Sequence, residues 1–456
     1  MVFSSLIFIF RFLPIFFISY FFTPHKYKNL SLLIFSLIFY TFGEPKYFPL
    51  MIASILVDYI ISIKIENNFE NRRKCKFLLI LSIIFNIGML FFFKYCNFFI
   101  ENINLLFNTS INTIKVALPL GISFYTFQTL SYTIDVYMGK FKAERNIIDF
   151  GAFVSLFPQL IAGPIVKYSD INKEIKVRSV SFSNFEQGLE EFIIGLSKKV
   201  LIANNIGMLW NEISNKNIES ISTPLAWLSI LSFAFQIYFD FSGYSSMAIG
   251  LGKTLGFNFP TNFNFPYISR SISEFWRRWH ITLGSWLKEY IYIPLGGNRV
   301  SKKRLFFNLL LLWFLTGFWH GAEYNFILWG IYFFIFVYLE KLFLSKILNK
   351  HIIFSHIYTI FILIIGWCIF AITDLNTLKL YLGKLFTFDL TLDYIFYLRN
   401  YLIIFIICIV SSTPLIEKLY SKVSKNIRSI IICILFLLSI AYLVDSSYNP
   451  FLYFRF

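Results

Sequence analysis

A chain of 456 residues that is 57% hydrophobic and 21% aromatic, with only 14% charged, is not a water-soluble globular domain, because such domains carry roughly a quarter charged residues. The formal net charge of +16 invites a nucleic-acid reading, but the basic residues sit in short loops between apolar runs, as in the cytoplasmic loops of membrane proteins, and that reading is rejected. Cysteines 75, 96, 368, 408 and 433 form no CxxC pair and lie mostly in apolar runs, so neither a disulfide nor a metal site is expected.

Apolar runs that cross or nearly cross a bilayer recur at 3–22, 47–63, 77–93, 224–239, 326–344, 352–372, 401–416 and 430–444. Helices pair their own backbone groups in lipid, so the expected fold class is an all-α, polytopic integral membrane protein. The first run has no basic leader and no small-residue cleavage site, and is read as a retained span. Basic loops at 25–28, 72–76, 140–145, 299–304 and 418–428 are expected in the cytoplasm, while 97–113 and 373–393 carry almost no net charge. This pattern places the N-terminus outside.

Between 118 and 330 the apolar runs are short and interrupted by glycine and proline: LPLGISFYTFQTL from 118, FPQLIAGPIVKY from 157, FDFSGYSSMAIG from 239. Broken helices survive at membrane depth only inside protein or along a water-filled cavity. The chain is therefore read as one domain with scaffold spans at 1–117 and 331–456 around a catalytic core at 118–330. GLGKT at 250–254 mimics a phosphate-binding loop, but position 247 is Met where that motif needs glycine.

At 271–299, SISEFWRRWHITLGSWLKEYIYIPLGGNR predicts an amphipathic helix over 274–290. Trp276, Trp279, Leu283, Trp286, Leu287 and Tyr290 fall on one face, and Glu274, Arg277, Arg278, Thr282, Ser285, Lys288 and Glu289 on the other. Ser273 is the expected N-cap, Glu274 and Arg278 the expected i,i+4 pair, and Pro294 with Gly296 and Gly297 the stop. Tryptophans opposite cations suit a helix lying in a membrane interface. His280 falls at the edge of the apolar face.

LLLLWFLTGFWHGAEYNFILWG, 309–330, holds His320 inside an apolar run. An ionisable group there is a functional-site candidate. Burial favours the neutral imidazole, which acts as a general base. No second ligand stands beside Glu323, so no metal is expected at this histidine. His25, His351 and His356 sit at span ends and are read as ordinary.

These motifs resemble the membrane-bound O-acyltransferases, in the branch of alginate and peptidoglycan O-acetyltransferases. The resemblance rests on 121–137, 157–165, 239–250, 262–299, TGFWHGAEYNFILWG at 316–330 and NPFLYFRF at 449–456, and runs over the whole chain. It implies a fold of about eleven or more transmembrane helices, with re-entrant or interfacial helices and a central tunnel. His320 matches the family's catalytic histidine and His280 its second characteristic one. Trp319, Asn325, Glu323, Gly321 and Asp240 become candidates for the tunnel or for oxyanion stabilisation, with His280 a further oxyanion candidate. Arg277, Arg278, Lys288 and Arg299 become candidates to hold the phosphates of a donor. One departure is Asn204, where the family usually has Asp after the paired lysines. The resemblance further implies acetyl-CoA as donor substrate, no bound cofactor, a bacterial inner-membrane location, and an exported SGNH-hydrolase-like acetyltransferase as partner. The end product would be an O-acetylated cell-envelope polysaccharide. His320 would serve as general base or as a transient acetyl carrier. Two other readings remain: D-alanyl transfer from a carrier protein to teichoic acid, and a proton-coupled transporter. The latter predicts inverted repeats, which the motifs do not form.

Overall fold

The computed structural model describes residues 2–161, 163–445 and 448–450. Ala162 of the 157–165 motif and 451–456 of the terminal motif lie outside the described residues. Every regular element described is helical. Eight helices are long and apolar enough to cross a membrane by length and composition: Phe48–Asn67, Arg72–Phe107, Phe182–Ser214, Thr223–Thr254, Tyr324–Leu348, Ile352–Ala371, Asp393–Ser411 and Lys425–Asp445. Phe8–Phe22 is a shorter apolar helix, and Lys28–Gly43, Ile122–Met138 and Lys302–His320 are further helices. Large apolar side chains such as Ile353, Ile403 and Leu437 are exposed along these helices, as a lipid-facing surface requires.

Two compact units divide the chain, 1–192 with 247–260, and 193–246 with 261–456. In the first unit, Phe8, Phe12, Phe16, Phe39 and Phe157 pack as one aromatic cluster. Asp58 is fully buried there, and its carboxylate accepts hydrogen bonds from Ser82 Oγ (2.5 Å), Asn86 Nδ2 (2.7 Å) and Thr133 Oγ1 (3.1 Å). These bonds tie three neighbouring helices together where apolar packing alone gives little specificity.

The second unit holds both inner histidines. Lys302–His320 and Tyr324–Leu339 form a hairpin whose backbones touch. A Cβ on Gly317 would lie 2.2 Å from the Phe326 carbonyl oxygen, and one on Gly330 would lie 2.4 Å from that of Trp313. Only glycine permits this approach, and it sets His320 beside Trp329.

The interfacial segment differs from the single helix the sequence predicts. Ile272–Arg278 and Ile281–Leu287 are separate helices, and His280 between them has φ +43°. The cause is not local. The extended stretch 261–264 takes over the backbone groups at the junction, with Asn264 N–H donating to Arg278 C=O and Ile281 N–H donating to Asn262 C=O, both at 2.9 Å. The N-cap is Ser271, whose Oγ accepts from Glu274 N–H at 3.0 Å, not Ser273. The amphipathic faces hold apart from Thr282, which is buried: Trp279, Leu283, Trp286 and Leu287 are buried, and Arg277 and Lys288 exposed. Glu340 completes the arrangement. Its buried carboxylate accepts the Ile272 and Ser273 N–H groups at 2.7 and 2.8 Å, satisfying amides that a helix start leaves unpaired. Glu340→Ala should therefore destabilise the protein by about 1–3 kcal/mol, read as a lower melting temperature in detergent; an unchanged melting point would refute the anchoring role.

Candidate active site

His320 is the last residue of its helix, and Gly321 beyond it is extended at φ −169°. A Cβ on Gly321 would meet the Phe326 ring at 2.2 Å, so the chain leaves the helix hard against an aromatic wall. The His320 ring is buried between Trp319, Trp329 and Phe370, with centroids 4.9, 5.1 and 5.2 Å away. His280 is buried too, its ring 4.7 Å from Phe241 and 6.0 Å from Trp319. Trp319 thus stands between the two imidazoles, which lie forty positions apart in the sequence (320 − 280). Burial pushes the His280 pKa down to about 3; the residue lies outside the eight spans and is a neutral imidazole at physiological pH.

Asn262 holds His280. Its side-chain oxygen lies 3.1 Å from His280 Nδ1 and accepts from Thr282 N–H (3.3 Å) and Thr282 Oγ1 (2.9 Å). Nothing in the sequence reading singled out Asn262; the only available signal was an amide inside the aromatic run FNFPTNFNFPY.

The other candidates separate. Asn325 is fully buried, and its Nδ2 donates to the Ile369 and Phe370 carbonyls at 3.1 and 3.2 Å. Its amide hydrogens are thus committed to backbone carbonyls at the end of Ile352–Ala371. Glu323 is exposed at the start of Tyr324–Leu339. Asp240 forms a buried ion pair with Lys199 at 2.6 Å. Arg278 is bound to Glu274 at 2.9 Å, the expected pair, and to the Asn264 carbonyl at 3.1 Å. Arg277, Lys288 and Arg299 are exposed. Two indole N–H groups, of Trp276 and Trp329, are buried with no acceptor among the described residues, and their rings lie 5.2 Å apart.

Two buried histidines that share contacts with Trp319 are equipped to move a proton during group transfer away from water. The family model described as membrane-bound O-acyltransferase matches residues 143–383, and the chain belongs to that family. It is an O-acyltransferase. Over 396 residues it is 41% identical to "Probable alginate O-acetylase AlgI" of Pseudomonas syringae pv. tomato, covering 85% of this chain and 76% of that protein. It is also 41% identical over 363 residues to the peptidoglycan O-acetyltransferase of Helicobacter pylori, covering 73% and 68%. A teichoic acid D-alanyltransferase of Streptococcus thermophilus is 29% identical over 234 residues, 47% of this chain and 54% of that protein.

Proposed function

We propose that this protein takes an acetyl group from cytoplasmic acetyl-CoA and passes it through the bacterial inner membrane for O-acetylation of a cell-envelope polysaccharide, with an exported SGNH-type transferase completing delivery. The observation that supports this is similarity, over 85% and 73% of the chain, to proteins named for O-acetylation of alginate and of peptidoglycan. The teichoic acid D-alanyltransferases align with only about half of the chain, which makes carrier-bound D-alanine the second reading. The N-terminus lies outside, and the basic loops face the acetyl-CoA pool.

In this mechanism His320 removes the proton from an acceptor hydroxyl while its oxygen attacks the thioester carbonyl. A C–O bond forms, the C–S bond breaks, and the CoA thiolate leaves as the thiol, taking the proton that His320 removed from the hydroxyl. The Trp276 and Trp329 indoles offer buried donors to the carbonyl oxygen as it gains charge. A variant path transfers acetyl first to the His320 imidazole and then to the hydroxyl; an adduct of acetyl mass on His320, trapped without acceptor, would mark that path.

Purified protein in liposomes, given radiolabelled acetyl-CoA outside and an acceptor or partner inside, tests the proposal. CoA release with label appearing inside supports it. No thioester turnover with a competent partner present overturns it and turns attention to carrier-bound D-alanine.

Among the described residues Arg277 is exposed and makes no ion pair, unlike Arg278, which makes it, with Lys288 and Arg299, a proposed contact for the donor's phosphates. Arg277→Ala should raise the KM for acetyl-CoA about tenfold, with kcat nearly unchanged. A fall in kcat alone would mean that Arg277 serves the scaffold or the chemistry instead.

A further inference from the structure

We infer that Asn262 is a positioning residue that fixes which nitrogen of His280 carries the proton, and that His280 consequently works through Nε2 as an acceptor. The argument starts from a donor that cannot change role. The Thr282 backbone N–H only donates, and it faces the Asn262 side chain at 3.3 Å, with the Thr282 hydroxyl on the same atom at 2.9 Å. Turning the amide over would set NH2 against that N–H, so the facing atom is oxygen. The same oxygen lies 3.1 Å from His280 Nδ1. Oxygen of an amide cannot donate, so Nδ1 supplies the hydrogen. A neutral imidazole has one N–H, which leaves the lone pair on Nε2.

Burial favours neutrality, and three of the described side chains that contact the ring, those of Phe241, Trp319 and Asn262, carry no charge. Two backbone bonds, Ile281 N–H to Asn262 C=O and Asn264 N–H to Arg278 C=O, hold the Asn262 segment against the turn before its side chain acts. His280 itself sits in the left-handed region at φ +43°, a conformation that costs energy for a residue with a Cβ and persists when its surroundings enforce it. Meanwhile Asn262 Nδ2 is buried with no acceptor among the described residues. An amide that leaves its own NH2 unmatched in order to gather three bonds on its oxygen is placed for that oxygen.

The functional consequence rests on the acyl-transfer reading above. His280 receives a hydrogen bond or a proton during transfer and does not donate to the developing oxyanion, which leaves that task to N–H groups elsewhere. The two histidines then share acceptor chemistry on either side of Trp319.

The test is nitrogen NMR of full-length protein in liposomes with 15N-histidine, the His280 signals being identified by their loss in His280→Gln. The expected wild-type spectrum has Nδ1 protonated and Nε2 bare. Asn262→Leu should move the proton to Nε2 and slow transfer about 10²-fold or more with the KM for acetyl-CoA unchanged. Asn262→Asp, whose oxygen accepts the same bonds, should keep Nδ1 protonated and recover most of the rate. A wild-type His280 protonated on Nε2 overturns the inference whatever any variant does. The expected tautomer in a protein that turns over no acetyl-CoA would instead overturn the acetyl-transfer reading and leave the Asn262 assignment standing.

Discussion

Replacing His320 with alanine should leave a protein that inserts and folds but transfers acetyl about 10²–10⁴ times more slowly, the range that loss of a positioned general base produces. The loss should be close to complete if His320 also carries the acetyl group, because no alternative nucleophile then takes its place. The structural cost is limited by position. His320 ends its helix, and the backbone contact of the hairpin runs through Gly317 and Gly330 one turn and more away. The substitution does open a gap among Trp319, Trp329 and Phe370, so His320→Gln, which refills most of the volume, is the necessary companion. On the proposed reading, in which cations elsewhere hold the donor's phosphates, both variants should bind acetyl-CoA as wild type does. Normal CoA release by His320→Gln would remove His320 from the mechanism. Inactivity of both variants together with lost donor binding would assign the residue to the architecture of the site.

What could be read from the chain was whatever depends on neighbours in sequence. Seven of the eight candidate spans among the described residues follow from runs of apolar residues, whereas Phe182–Ser214, with its polar start, matches none of them and the run at 3–22 forms the shorter helix Phe8–Phe22. The Glu274–Arg278 pair follows from helical spacing and is made at 2.9 Å. The burial of Trp279, Leu283, Trp286 and Leu287 follows from the same periodicity. His320 stood out because an imidazole in an apolar run has a desolvation cost to explain. What could not be read depends on groups far apart. Periodicity carries the Ile272–Arg278 helix straight through His280; the break comes from backbone bonds to 262 and 264, which no local pattern encodes. Asn325 looked like an oxyanion donor by nearness to His320, yet its hydrogens go to carbonyls 44 and 45 positions later. Glu340 lies inside the apolar run 326–344 with no local pattern to mark a role, yet its carboxylate is buried against the start of Ile272–Arg278. The site is thus an assembly in which the reactive groups were visible and their supports were not.

Asp240, expected along the tunnel, supplies the second large effect through Lys199. The pair is almost fully buried, with side-chain exposures of 1% for Lys199 and 3% for Asp240 at 2.6 Å separation. Lys199 Nζ also donates to Asn204 Oδ1 at 2.8 Å and to the Pro450 carbonyl, and Asn204 Nδ2 donates to Asn449 Oδ1 at 3.2 Å. One ammonium thus meets one carboxylate and neutral oxygens, and the described cluster carries no net charge. Asn204, at the position where the resemblance implies Asp, fits that balance and bonds Asn449. Lys199→Met should strand the Asp240 carboxylate and cost about 3–5 kcal/mol. Against a total stability of roughly 5–15 kcal/mol, the variant should accumulate poorly in membranes, and Asp240→Leu should fail in the same way by stranding the ammonium. Lys199→Met with Asp240→Leu removes both charges, and its stability should exceed that of either single variant. A double variant no more stable than the singles would mean that the pair is not the source of the loss. If the double variant accumulates yet transfers no acetyl, the pair has a part in the reaction beyond holding the helices and the 449–450 segment together, because a purely structural pair replaced by packed apolar groups leaves the histidines and Asn262 where they were.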